Sequence, residues 1–414
     1  MQRVRYAVGA LAMALISAAR PPTTHSQFDE DFKFAWKSIG SDYAYFDRKA
    51  THWSDIPRLY QRDLASVRTK REFVTLLENV VDELYDPHAQ LTVNTAASPC
   101  LVPSGADLWA EWRASDAVIT EVRHGSDAER AGIRPGDIVI ASKGLPITEA
   151  VERRMGRSYP HSVAAARDWA LRSVLAGTHD TVRTLQLRRE NMRQTVELPA
   201  CHQSDTVAEA PLSYSEIEAG VGYIRLHDSL GRDDTVAAFD DALAHVRGTR
   251  ALIIDLRDTP SGGNTAVARG ILGRFVDREL PYQKHSLPSE ERQTGIRRSW
   301  LELVSPRGPF IYTGPVTVLV DHWTGSMGEG LAIGFDGTGR GTVIGTAMAG
   351  LLGATEHVIL PHSGIGINVP TERLYHVNGR PREAFRPSVA VDVADTTSMN
   401  DPFIATALRT LPLR

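Results

Sequence analysis

The run Ala251-Leu252-Ile253-Ile254 carries no polar residue at alternate positions before it closes on Asp255-Leu256. A strand that is apolar on both sides needs cover on both faces, which a sheet with one wet side does not provide. A second run of this kind, at 316–320, lies further along the chain. Strand patterns at 221–226 and 342–344 and helical patterns at 235–246, 264–276 and 327–335 surround the two runs. This alternation predicts an α/β core, starting near residue 211, whose sheet is covered by helices.

At 414 residues the chain is too long for one ordinary core. Ahead of the α/β pattern, Phe28, Phe32, Trp36 and Ile39 recur at helical spacing. Thr69 and Glu72 form a capping box before the apolar face of Phe73, Leu76, Leu77, Val80, Val81 and Leu84. These features predict a helical domain over 28–98 that ends in a turn, Tyr85-Asp86-Pro87-His88-Ala89, leading into a short strand. A separate unit over 101–200 combines strands at 117–122, 138–141 and 182–187 with helices at 126–131 and 164–175. The segment 284–309 is mostly polar without clear periodicity, and reads as a surface excursion.

Arg3 and Arg5 precede an apolar run at 6–16 and then Ser17-Ala18-Ala19. This is the pattern of a secretory leader over 1–19 cut after Ala19, so a periplasmic or secreted protein is expected. The alternative, an N-terminal anchor, has too short an apolar run, and no later segment suggests a stable membrane span. The net charge of -4, with both signs interspersed, disfavours nucleic acid as a partner. Cys100 and Cys201 bracket the 101–200 unit; in an exported chain an even count suggests a disulfide, with two buried thiols as the alternative. Neither has His or carboxylate neighbours at metal-ligand spacing, so no metal is expected.

Two segments at strand ends can carry chemistry. Thr324-Gly325-Ser326-Met327-Gly328-Glu329-Gly330 follows one buried run and opens a helix, where backbone N–H groups and the helix dipole favour developing negative charge. By itself Ser326 reads equally as a helix cap. Asp255-Leu256-Arg257-Asp258-Thr259-Pro260-Ser261-Gly262-Gly263 follows the other, and its glycines suit either an oxyanion-binding amide or a simple turn. Glu329, on the Ser326 helix, reads as a solvated or ion-paired residue.

Taken in order with Ala128-Glu129-Arg130-Ala131-Gly132 and Arg134-Pro135-Gly136-Asp137-Ile138-Val139, these segments resemble the C-terminal processing (tail-specific) serine peptidases, most closely their tricorn-core branch. The resemblance implies a ClpP/crotonase-like catalytic core over 211–414, a PDZ-like domain over 101–200, and no cofactor. It implies Ser326 as nucleophile, with oxyanion donors at Met327 and at Gly263, or Gly262 because this loop is one residue longer than the family's. The processing branch places a Lys base where this chain has Leu351, and no Lys follows Lys284. The tricorn-like branch instead implies His88 as base and Glu383, in Gly379-Arg380-Pro381-Arg382-Glu383, as the group that orients it. That branch has a hydroxyl beside its His, whereas Pro87 and Ala89 flank His88 here. His322, His357 and His376 are rival bases.

The leading expectation is therefore an exported serine endopeptidase acting on peptides or proteins, read in part through C-terminal tails. A catalytically weak peptide-binding protein of the same fold is the alternative from a different class. Hydrolysis of small esters is a third reading.

Overall fold

In the computed structural model, which describes residues 24–202, 210–393 and 401–411, all five residues of strand Ala251–Asp255 are buried. The reason is cover on both sides. Leu252 and Ile254 face a core with Val318, Val320 and Leu331, while Ala251 and Ile253 face another with Leu319, Ile344 and Phe403. The central sheet runs Val389–Ala390, Thr342–Gly345, Val316–Val320, Ala251–Asp255, Val221–Leu226, Leu212–Ile217. Every neighbouring pair is parallel except the last. Helices Asp234–Val246, Thr265–Leu272 and Met327–Gly337 cover one face and Pro402–Thr410 the other. The parallel arrangement puts the C-terminal ends of strands Ala251–Asp255 and Val316–Val320, with the loops that follow them, at one edge.

The helical N-terminal region does not close a core by itself. Helices His25–Asp42 and Lys70–Asp82, the latter begun by the Thr69/Glu72 capping box, share their apolar cluster with Leu360, Ile365, Ile367 and Val369. Strand Gln90–Leu91, just past His88, pairs with Gly366–Tyr375 of a second, antiparallel sheet. This sheet also corrects the expectation of an excursion at 284–309: Leu280–Ser286 and Ser299–Val304 are paired strands within it. Their polar residues are structural. His285 is held between Glu372 (2.7 Å) and Glu302 (3.1 Å), and stacks on Trp300.

The inserted unit is a six-stranded antiparallel sheet from Leu108–Arg113 to Met192–Leu198, with helix Ala164–Ala176 against its first strand. A Cys100–Cys201 disulfide joins its entry to its exit. Three contacts dock it on loops of the central sheet. Trp323 Nε1 donates to the Ala106 carbonyl (2.8 Å), Arg123 pairs with Asp258 (2.9 Å), and His322 stacks on Trp109 while its Nδ1 contacts Glu121. The expected leader at 1–19 lies outside the described residues. Among those described, no helix is long and apolar enough to cross a membrane.

Candidate active site

The two strand-end loops run side by side. Thr324 bridges Thr259 in parallel fashion, the Gly325 N–H donates to the Thr259 carbonyl (3.2 Å), and Thr324 Oγ1 donates to the Leu256 carbonyl (3.0 Å). Ser326 therefore sits beside the glycine pair. Its backbone has φ +49° and ψ −109°, a conformation that side chains with a Cβ rarely adopt, at the start of helix Met327–Gly337. The sharp turn lets the strand feed a helix directly while lifting the serine out of the sheet edge.

Gly262, with φ +70°, faces Ser326: a Cβ there would lie 2.9 Å from both Ser326 Oγ and the Met327 nitrogen. Its own N–H is spent on the Thr259 carbonyl (3.2 Å). By contrast, the N–H groups of Gly263 and Met327 have no acceptor among the described residues. A second grip holds this loop from behind. The Asp228 carboxylate accepts from the Ser261 N–H (2.8 Å) and hydroxyl (2.6 Å), and Gly263 abuts the Leu230 backbone so closely that no Cβ fits.

Of the two readings the sequence offered for Glu329, the solvated one does not hold and the ion-paired one does. The residue is fully buried, and its carboxylate accepts N–H bonds from Ser326 (2.9 Å), Gly350 (3.0 Å) and Leu351 (3.2 Å). The Arg382 guanidinium lies 3.8 Å away. Burial, only partly offset by Arg382, pushes its pKa up to about 7. Ser-x-x-Glu is the capping-box pattern, the one signal in the sequence that could have identified this contact.

His88 is buried, with its N–H on Asp86 Oδ1 (3.0 Å). Its ring Nδ1 is 2.7 Å from the Leu352 carbonyl oxygen. A carbonyl only accepts, so Nδ1 carries the proton and Nε2 keeps its lone pair. Burial lowers the His88 pKa and favours the neutral ring. Glu383 makes no hydrogen bond to His88 among the described residues. Glu383 Oε1 pairs instead with Arg48 Nη1 at 2.5 Å, and a backbone carbonyl takes the orienting position at the imidazole. No hydrogen bond joins His88 to Ser326 among the described residues.

The rival histidines are otherwise engaged: His322 with Glu121, His357 Nδ1 with Asn368 (3.1 Å), and His376 Nε2 with Asp336 (3.1 Å). The donor atoms of Cys100, Cys201 and His179 lie within 4.8 Å of one another, but the two sulfurs are bonded to each other and offer no thiolate. The arrangement as a whole can carry out acyl transfer: a strained, accessible hydroxyl, two unspent amides beside it, and a neutral imidazole on the neighbouring segment.

Residues 220–393 match the model of Peptidase family S41. The chain is 25% identical over 369 residues to a protein of Tetradesmus obliquus named C-terminal processing peptidase, chloroplastic, covering 83% of this chain and 72% of that one. It is also 25% identical over 195 residues, 45% of its length, to a probable CtpA-like serine protease of Staphylococcus aureus, of which it spans only 34%. Among solved structures, mature CPAF complexed with lactacystin superposes with a TM-score of 0.59 at 15% identity, over 89% of this chain and 94% of that one, a likeness of fold.

Proposed function

The catalytic core of the chain being that of peptidase family S41, we propose that the protein is an exported serine endopeptidase with Ser326 as nucleophile and His88 as base. Ser326 Oγ attacks the scissile carbonyl carbon while His88 Nε2 takes the hydroxyl proton. The carbonyl oxygen becomes an oxyanion held by the Met327 and Gly263 amides. His88 then passes its proton to the leaving amine as the C–N bond breaks, and water cleaves the acyl-enzyme by the same route. Glu383 does not touch the ring and is paired with Arg48 instead.

The observation that carries this reading is the serine held at positive φ at a helix N-terminus, with the glycine loop against it. The inserted unit is read as PDZ-like, taking extended peptide tails near 103–109. That loop leans on the core through Ala106, and its Ser104 carbonyl accepts from Arg123, which itself pairs with Asp258 of the core. Treatment with a serine-directed phosphonate, followed by intact-mass analysis and peptide mapping, tests the proposal. One adduct on Ser326, absent from Ser326→Ala, is expected together with loss of peptide hydrolysis. An unlabelled wild type that still binds peptides would favour the second reading, a weakly catalytic binding protein. The Glu383–Arg48 pairing is the observation on that side.

A further inference from the structure

The loop 350–353 occupies the place where the resemblance to processing peptidases sets a lysine base, and it holds none: the residue there is Leu351. Five of the eight backbone polar groups of this loop are instead tied down by side chains. The amides of Gly350 and Leu351 donate to Glu329 (3.0 and 3.2 Å). The carbonyls of Leu351 and Gly353 both accept from Arg382 Nη2, each at 2.9 Å. The carbonyl between them, that of Leu352, is left for His88 Nδ1 at 2.7 Å. Gly350 and Gly353 have φ of +72° and +61°, and a Cβ on Gly353 would lie 2.0 Å from the Glu372 carbonyl oxygen, so the chain can hold this path only with glycine there.

Arg382 is 1% exposed, and its carboxylate neighbour Glu329 is fully buried. An arginine is costly to bury, and this one makes two carbonyl bonds on one loop rather than a close ion pair. Two bonds from one planar guanidinium nitrogen fix the peptide planes on either side of the Leu352 carbonyl, which a flexible ammonium would do less well. With the carbonyls of Leu351 and Gly353 both held by Arg382, the carbonyl between them, that of Leu352, is the one that reaches the imidazole.

We propose that Arg382, braced by Glu329, is a positioning residue that sets the tautomer and orientation of His88 through the Leu352 carbonyl, the task a side-chain carboxylate performs in a Ser-His-Asp arrangement. This rests on the assignment of Ser326 and His88 above, and extends it to how a base without a contacting carboxylate is held. A misplaced base costs on the order of 10²-fold in rate when the displacement approaches 1 Å.

The test combines a tautomer readout with a rate. In wild-type protein labelled with 15N-histidine, His88 (assigned by its loss in His88→Gln) should show the Nδ1-protonated form at alkaline pH. In Arg382→Met that signature should give way to mixed tautomers. Phosphonylation of Ser326 should slow by on the order of 10²-fold, and Arg382→Lys should recover only part of this. The inference is overturned if wild-type His88 is protonated on Nε2, a result that needs no variant to fold. It is equally overturned if Arg382→Met keeps both the wild-type tautomer and the wild-type phosphonylation rate. A wild type that resists phosphonate yet shows the Nδ1–H form, lost in Arg382→Met, would reject the peptidase assignment and leave the positioning contact standing.

Discussion

A Cβ built on Gly262 would lie 2.4 Å from the Cβ of Ser326, well inside the distance at which such atoms ever meet. The obstacle is the nucleophile itself and the backbone nitrogen beside it, so neither can yield without leaving the site. Gly262→Ala should therefore lower kcat by on the order of 10² to 10³-fold, as loss of an oxyanion donor does. Its strained φ should also cost about 1 kcal/mol or more of stability. Steady-state kinetics with a denaturant titration checks both. Near-normal turnover would mean the loops lie further apart in solution.

The positive φ of Ser326 makes a second prediction that concerns stability alone. Ser326→Ala should abolish hydrolysis and leave the strain in place, since alanine also has a Cβ. Ser326→Gly should relieve strain worth about 1–3 kcal/mol, against an unfolded-state entropy penalty of about 0.4–1 kcal/mol. The glycine variant should thus be the more stable of the two by about 1 kcal/mol. Equal melting temperatures would mean the backbone there is relaxed.

The pH dependence follows from His88. Only the neutral ring accepts the Ser326 proton, so activity is present above the folded-state pKa and lost as pH falls through it. A carboxylate close to the ring would raise this midpoint. With Glu383 on Arg48 and the ring buried, the His88 pKa is lowered. The acid limb assigned to His88 in kcat/KM should then fall below about 6.5, the ordinary histidine value. Glu383→Gln should move it little. A midpoint well above 7 that Glu383→Gln brings down would restore the carboxylate to the ring.

How much of this could be read in the sequence depended on whether a residue's role was local. Leu252 and Ile254 on one face and Ala251 and Ile253 on the other announce a doubly covered strand, and the structure buries both pairs in separate cores. Strand Leu280–Ser286 was hidden because its buried Gln283 and His285 bond to Glu302 and Glu372, partners that sequence proximity does not supply. The serine and the glycine pair have recognisable neighbours. The acceptor for His88 does not, since any residue at 352 supplies a carbonyl. Glu383 was legible as a conspicuous carboxylate, but its partner Arg48 is 335 residues away. Arg382, its immediate neighbour, carries no mark that it would be buried.

The Cys100–Cys201 bridge closes a loop with a sequence separation of 101 residues. In the chain-entropy picture such a cross-link stabilises by up to about 4.7 kcal/mol, and by less where the unfolded chain keeps structure. The bridge also fixes the base of the unit whose Arg123 and Trp109 contact the loops flanking Ser326. Replacing both cysteines with alanine should lower the denaturation midpoint, first in the inserted unit by hydrogen exchange. Unchanged exchange protection across 108–198 would show that the interface with the core, not the bridge, sets the stability of that unit.

Glu329 separates catalysis from stability by the sign of its titration. Burial raises its pKa to about 7, above the 4.5 of an ordinary glutamate. Between those values the folded state binds more protons than the unfolded one, so this group makes the protein less stable as pH rises through the window. The loss is complete above about 7, where the buried carboxylate is fully charged. The N–H groups that donate to it run the other way: the ionised form holds Ser326, Gly350 and Leu351, so activity should gain from the same ionisation that costs stability. The groups that set this balance are Arg382, which lowers the pKa, and Glu383, which raises it. Glu329→Gln should accordingly look progressively better than wild type in denaturant midpoint as pH goes from 5 to 8, about the two ends of the window. Over the same range it should lose an inflection near pH 7 from its rate profile, leaving the lower one of His88. If the stability difference between Glu329→Gln and wild type stays flat with pH, the carboxyl is ionised throughout and the site is more polar than its burial implies.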